Sequence, residues 1–347
     1  MEREQMKNIT KTNGAKHVDM NNAVSAKEND WVKACKDAAN NNVYFHTFRS
    51  SPAFQRVVEG SPIVSGIWNL KRLLNNRKFI KTLPLIQTSD SIGFPSKIIY
   101  FKSTSKGNNT LQKSGLSSTT IRYTNNCINC LSLFGNKILD GSTEIFEIGA
   151  GYGGECKIFN DFAITQYNKE IGNKWHIYDL PSSYGIIKRF LNQFNYSASF
   201  NKLGQRINSN NMNTLVISNG AFSEMTGDLL DSYFDSVISK ANYGYFITNF
   251  ETHSVPHGGW TTQQFIEKLH SCGKNDAISL PVNEYLSHFD KQAGSKLIAF
   301  GYRKIRNDNT KILDIIKIKM TPLVVEFFDN LSTIFLKQIN NKITRHL

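Results

Sequence analysis

The chain has 347 residues, of which 40% are hydrophobic and 20% charged. That is enough apolar side chain for a buried core and too little charge for a wholly disordered chain. Forty-one Lys and Arg against 28 Asp and Glu leave a net charge of +13, which suits an acidic partner without choosing among nucleic acid, a phosphorylated sugar and an anionic membrane. Five cysteines are an odd and low count, so a reducing compartment is expected rather than a disulfide scaffold. The polar N-terminus and the lack of any run of about 20 apolar residues predict a cytoplasmic protein. The abundance of Asn, Lys and Ile is taken as genome bias.

Residues 1–30 are polar and predict a loose arm. Residues 31–140 predict a mainly helical region. SPAFQRVVEG (51–60) and IWNLKRLLNNRKFIKTL (67–83) place apolar residues at helical spacing, with Ser51 before Pro52 as a helix start. SKIIYFKS (96–103) reads as a strand, and SSTTIRYTNNCINCLSLFG (117–135) as a helix closing at Gly135. From 143 strands and helices alternate: TEIFEIG, then the helix 155–168, then KWHIYDLP and the helix 183–195. YSASFNKL, NTLVISNGAF, YGYFITNF, DAISLP and SKLIAFGYRK supply five further strands. This rhythm predicts an α/β fold, a Rossmann-like doubly wound sheet of seven parallel strands over 141–305, beside the helical N-terminal region. The tail, 306–347, is apolar-rich with interspersed lysines. It predicts packed helices, as at a homo-oligomer interface, or a basic amphipathic helix in peripheral contact with the inner membrane surface.

The most informative stretch is Phe146-Glu147-Ile148-Gly149-Ala150-Gly151-Tyr152-Gly153-Gly154, between a strand and a helix. Glycines there allow a tight turn and close approach of a ligand to the backbone. Gly149, Gly151 and Gly154 fit G-x-G-x-x-G, a dinucleotide pattern that is weak alone. Glu147, Gly149, Gly151 and Gly153 equally fit E-x-G-x-G-x-G. A carboxylate at Glu147 can accept from an ammonium group and would repel a pyrophosphate, so an amino-acid-like cofactor moiety suits the loop better than a nicotinamide dinucleotide. Asp179, at the end of the next strand, can accept both hydroxyls of a ribose.

These words resemble the class I S-adenosylmethionine-dependent methyltransferases and, more narrowly, the bacterial sugar O-methyltransferase family. That family's E-I-G-x-G-Y-G-G and I-D-L-P patterns match FEIGAGYGG and YDLP here. Its S-F-x-E-M stretch becomes Ala221-Phe222-Ser223-Glu224-Met225, while FRSSPAF (48–54) and Ser118 to Tyr123 resemble its upstream segments. The resemblance covers about 45–305 and implies S-adenosylmethionine as cofactor. Glu147 and the backbone of Gly149, Ala150, Gly151, Tyr152 and Gly153 would hold its methionine part. Asp179 would hold the ribose, Leu180 would lie against the adenine, and Ser218 and Asn219 would lie beside the sulfonium. The loop 208–211 could reach the adenine edge. Arg49, Arg122 and Tyr123 fall in the family-like words and become acceptor-site candidates, as does Glu251.

A sugar hydroxyl is weakly acidic, so its methylation calls for a base or a metal. Base candidates after the fourth and fifth strands are Glu224, Glu251, His253 and His257, with His253 and Glu224 preferred as catalytic. His253 and His257 could pair on a divalent metal, but Pro256 and the following glycines argue against the helix such a pair needs, and no metal ligand is assigned. The text after the fourth strand, Asn219-Gly220-Ala221-Phe222, lacks the prolines of amine methyltransferases. The expected partner is a sugar, nucleotide-sugar or glycan acceptor in surface-polysaccharide synthesis, and nucleic acid is disfavoured. Lys71, Arg72, Arg77, Lys78 and Lys81 read as a solvated helix face or a diphosphate contact. Cys127 and Cys130 read as small buried side chains on one helix turn. The rival readings are a methyltransferase for RNA or a small metabolite, a nicotinamide-dependent oxidoreductase, and a non-catalytic scaffold.

Overall fold

A computed structural model describes residues 26–103, 111–202, 205, 213–281, 285–286 and 294–302. All belong to one compact unit, residues 1–305, and the second unit is 306–347. The predicted tail helices, most of the N-terminal arm and the loop 208–211 lie outside the described residues.

The described residues begin with five α-helices: α1 (Ala26–Asn40), α2 (Asn42–Thr47), α3 (Pro52–Val57), α4 (Ile63–Leu73) and α5 (Arg77–Ser89). The expected helical stretch 67–83 is two helices. Asn76 breaks it because its side chain accepts the Lys78 and Phe79 amides, capping α5. The strand expected at 96–103 is β1 (Lys97–Ser103). It pairs antiparallel with β2 (Leu111–Ser117), which the pattern did not announce. Ser117 then caps α6 (Ser118–Phe134), which stops at Gly135 as predicted. Cys127 and Cys130 are buried in that helix.

The main sheet follows. Its strands are β3 (Thr143–Ile148), β4 (Trp175–Tyr178), β5 (Ser199–Asn201), β6 (Asn213–Asn219), β7 (Tyr243–Thr248), β8 (Ile278–Leu280) and β9 (Lys296–Phe300), in the order β5-β4-β3-β6-β7-β9-β8. The seven strands are those expected, but the sheet is mixed. The first five run parallel, and β9 inserts antiparallel between β7 and β8. The classic dinucleotide sheet has the order 3-2-1-4-5-6, so the inserted strand is a departure from it.

Helices α7 (Gly154–Tyr167), α8 (Pro181–Asn192), α9 (Gly227–Ser236), α10 (Phe250–His253) and α11 (Thr262–Ser271) are the further α-helices among the described residues. Side chains alternate across each strand. Ile145, Ile177, Leu215 and Ile217 therefore join one core with α6, α7, α8 and the N-terminal helices. Phe146, Ile148, Val216 and Phe246 join another with Leu230 and Phe234 of α9 and Phe265 and Leu269 of α11. No helix among the described residues is long and apolar enough to cross a membrane.

The N-terminal region is joined to the sheet domain by buried charge. Arg49 is fully buried. Its guanidinium donates to Glu59 Oε1 at 2.5 Å, to Asp90 Oδ1 at 2.8 Å and to Ser117 Oγ at 2.7 Å, and it lies 4.9 Å from the Tyr152 ring centroid. Asp90 also accepts from Thr120 Oγ1. Arg49 therefore ties α3, α5 and α6 together. It was expected at the acceptor site, and the structure corrects this: both its carboxylate partners are already in place. Lys157 and Asp161 form a second buried pair at 2.6 Å, with Lys157 also donating to Leu85 O and Thr88 Oγ1 of α5.

Candidate active site

The sheet order reverses between β3 and β6, and open α/β sheets place their ligands at such a switch point, beyond the carboxyl ends of the strands. A cavity of about 570 Å³ opens there. The glycine loop after β3 forms one wall. Gly149 has φ +80°, and a Cβ on it would overlap Ala221 Cβ, so only glycine fits between the two strand ends. Gly151 has φ +61°, and its amide donates to Asp179 Oδ2 at 3.1 Å. Asp179 Oδ1 takes the Leu180 amide at 2.7 Å. Burial raises the Asp179 carboxyl, and these amides partly offset it. Tyr178, Leu180, Leu229 and Tyr233 give the cavity apolar and aromatic surface, while Arg122, Glu155, Asn219 and Glu224 give it charge and hydrogen-bonding groups.

Several expected residues are brought together here. Gly149, Gly151, Asp179, Leu180, Asn219, Arg122, Tyr123 and Glu224 all line the cavity. Ala150 and Gly153 sit in the same loop, Ala150 buried and Gly153 at the start of α7.

Other expected site residues point elsewhere. Glu147 lies on the Ile145 face of β3, buried, with Oε2 accepting from Trp175 Nε1 at 2.8 Å. Period-2 alternation turns it under α7 instead of into the cavity. Burial and the neighbouring Glu155 push its carboxyl well up, against the Trp175 hydrogen bond. Tyr152 is fully buried against Phe48, Tyr123 and Phe190, so only its backbone belongs to the loop. Ser218 donates to Ile148 O and accepts from the Phe222 amide, bracing β6 against β3 outside the cavity.

Glu251 caps α11 by accepting from Thr262 N and Oγ1, and it pairs with Lys296 at 3.0 Å. His253 is exposed on α10 and lines neither this cavity nor its neighbour. Burial raises the Glu224 carboxyl, and the nearby His253 partly offsets it. The segment expected to be a loop, 249–260, holds α10 and a 3-10 turn at Val255–His257. The basic cluster is largely committed too. Arg72 lies over Trp68 and donates to Asn125, and Lys78 donates to Asn136.

The residue missed in the sequence is Glu155, the second residue of α7. It is buried, lines the cavity and accepts from Asn126 Nδ2 at 2.9 Å. Burial raises its carboxyl to about 7, while Asn126, Arg122 and Asn219 pull it down. Its signal was the acidic residue directly after the last glycine, in the first turn of a helix, which had a ready reading as dipole compensation. Glu224 is the second carboxylate on the wall. It is open to solvent through the cavity, although most of its surroundings are protein, and burial raises it. Among the described residues, no group of three or more His, Cys, Asp or Glu side chains could hold a metal.

No protein-family model matches the chain. No curated protein matches it. Among solved structures, PigF with SAH aligns at a TM-score of 0.31 and 13% identity, over 45% of this chain and about half (49%) of its own. Thermoplasma acidophilum 1320 aligns at 0.31 and 14%, over 53% of this chain and 89% of its own. A proposed RNA methyltransferase from Pyrococcus horikoshii aligns at 0.31 and 13%, over 54% and 83%.

Proposed function

We propose that this chain is an S-adenosylmethionine-dependent O-methyltransferase acting on a sugar hydroxyl. The observation that carries the reading is Glu155. A dinucleotide would set its pyrophosphate at the start of α7, where the cavity instead presents a buried carboxylate. A pyrophosphate would be repelled there, whereas an ammonium group would be paired. Glu155, and not Glu147, is the carboxylate that an ammonium group would meet in the cavity. Asp179 faces the same cavity with both oxygens aligned by backbone amides, as a ribose diol requires, and Tyr178, Leu180, Leu229 and Tyr233 offer the apolar surface a purine needs. The residues present fit the cofactor.

The cofactor supplies an electrophilic methyl group, and the protein supplies alignment and a proton acceptor. Glu224 is the proposed base. Held by Glu155, Asp179 and the glycine loop, the cofactor would give that methyl group to the acceptor oxygen and would leave as S-adenosylhomocysteine. The hydroxyl proton passes to Glu224, whose raised pKa suits it to the task. His253, outside the cavity, tunes Glu224 rather than taking the proton itself.

Calorimetric titration with S-adenosylhomocysteine and with NADH tests the reading. Binding of the adenosyl ligand, weakened at least tenfold by Asp179→Ala, is expected. Binding of NADH alone, or of neither, would overturn it.

A further inference from the structure

A second cavity of about 160 Å³ adjoins the first and shares Val57, Arg122, Asn219 and Glu224 with it. Its wall carries five asparagines from four parts of the fold: Asn69 on α4, Asn125 and Asn126 on α6, Asn219 ending β6, and Asn249 after β7. Asn125 and Asn126 are committed. Asn125 accepts from Arg72 and donates to Tyr285 O, and Asn126 accepts from Tyr245 and donates to Glu155.

The other asparagines have spare capacity. Asn69 is 4% exposed and its Oδ1 has no hydrogen-bond partner. Arg122 Nε is likewise buried and unpartnered. Asn249 Oδ1 accepts from Ser223 Oγ at 2.7 Å, which orients its amide. Buried polar groups are normally satisfied, so an unpaired atom on a residue that lines a cavity marks a side chain whose hydrogen bonding a ligand can complete.

We infer that this chamber binds the acceptor, and that the acceptor part inside it is a single uncharged, polyhydroxylated ring. The inference rests on the methyltransferase reading above and adds where the acceptor sits and what it carries. Amides both donate and accept, as hydroxyls do, so they recognise neutral polyols without demanding charge. Among the described lining residues Arg122 and Glu224 are the charged groups, one of each sign, and no lysine faces the chamber. A phosphate or carboxylate placed there would meet Glu224 with one guanidinium to balance it. At about 160 Å³ against about 570 Å³ for the first cavity, the chamber is the smaller of the two and suits a small ring. Glu224 and Asn219 stand where the two cavities meet, so a hydroxyl of a ring in the chamber faces both the base and the methyl-donor cavity. Asn69, deepest in burial among the uncommitted groups, is the specificity residue.

Saturation-transfer NMR tests this with glucose, galactose, mannose, rhamnose and N-acetylglucosamine, against glucuronate and glucose 6-phosphate. Each is run with and without S-adenosylhomocysteine, so the outcome does not depend on cofactor binding. At least one neutral sugar should bind, and Asn69→Ala should weaken it about three- to tenfold, the worth of one hydrogen bond. The variant's thermal shift with S-adenosylhomocysteine should match wild type, which separates loss of a contact from loss of the fold. Binding of the charged sugars alone, of no sugar, or of neutral sugars with unchanged affinity in Asn69→Ala would overturn the inference while leaving the cofactor reading to its own test. Loss of the adenosyl shift in wild type would instead remove the cofactor reading.

Discussion

Glu155 links the chemistry of the site to the stability of the protein. Its carboxyl is raised by burial from the ordinary 4.5 to about 7, so the folded chain holds a proton that the unfolded chain releases between those values. The stabilisation is full below about pH 4.5 and is lost as the pH rises towards 7. Thermal melts of wild type and Glu155→Gln should therefore diverge, with wild type losing stability relative to the variant across that window. A constant difference in Tm would show that Glu155 titrates normally. An ammonium ligand needs the ionised carboxylate, so S-adenosylhomocysteine should bind wild type more tightly at pH 8 than at pH 6. Glu155→Gln should bind at least tenfold more weakly, with a flatter profile. Glu224→Gln should leave this affinity within about twofold and lower turnover by roughly 10²–10⁴. His253→Ala should lower it far less, and a loss equal to that of Glu224→Gln would return the base role to His253.

At the scale of elements, local chemistry explains the boundaries. Asn76 starts a new helix because its side chain satisfies two amides that α5 would otherwise leave bare. Asn76→Ala should cost about 1 kcal/mol in denaturant unfolding, and no change in midpoint would mean water replaces the cap. The glycine loop works by exclusion. At Gly149 a methyl group would meet Ala221, and its φ is in the left-handed region. Gly149→Ala should both lower Tm and weaken S-adenosylhomocysteine, because the loop cannot move without parting β3 from β6. Binding as tight as wild type would show that the loop relaxes freely. The strand–loop–helix unit and its glycines were legible in the text because turn chemistry is local. Which side of β3 its glutamate faces was not, because that depends on which core the strand buries.

Across the unit 1–305, buried ion pairs of Arg49 tie the N-terminal helices to one another, and Lys157 of α7 ties α5 to the sheet domain. Replacing Arg49 by Met leaves Glu59 and Asp90 buried without their partner, a loss of about 3–5 kcal/mol. Chemical denaturation should show it, and a loss under about 1 kcal/mol would mean that water reaches the carboxylates. Because FRSSPAF also formed part of the resemblance, Arg49 illustrates how a word in the sequence can mark a structural tie as readily as a site. The asparagines of the second cavity were hidden for a different reason. In a chain rich in asparagine, five that converge look like any others, and their separation from position 69 to position 249 conceals the meeting.

The sequence by itself determined the seven strands, the helical N-terminal region, the glycine turn and the carboxylate of Asp179 at the next strand end, since periodicity and turn chemistry act over a few residues. Tertiary structure alone decided that β9 enters antiparallel, that Glu155 rather than Glu147 faces the cavity, that Arg49 is a buried tie, and that Asn69, Asn219 and Asn249 share a chamber with Glu224. Each of these depends on which face of an element is buried and on what it packs against, and long-range packing sets both.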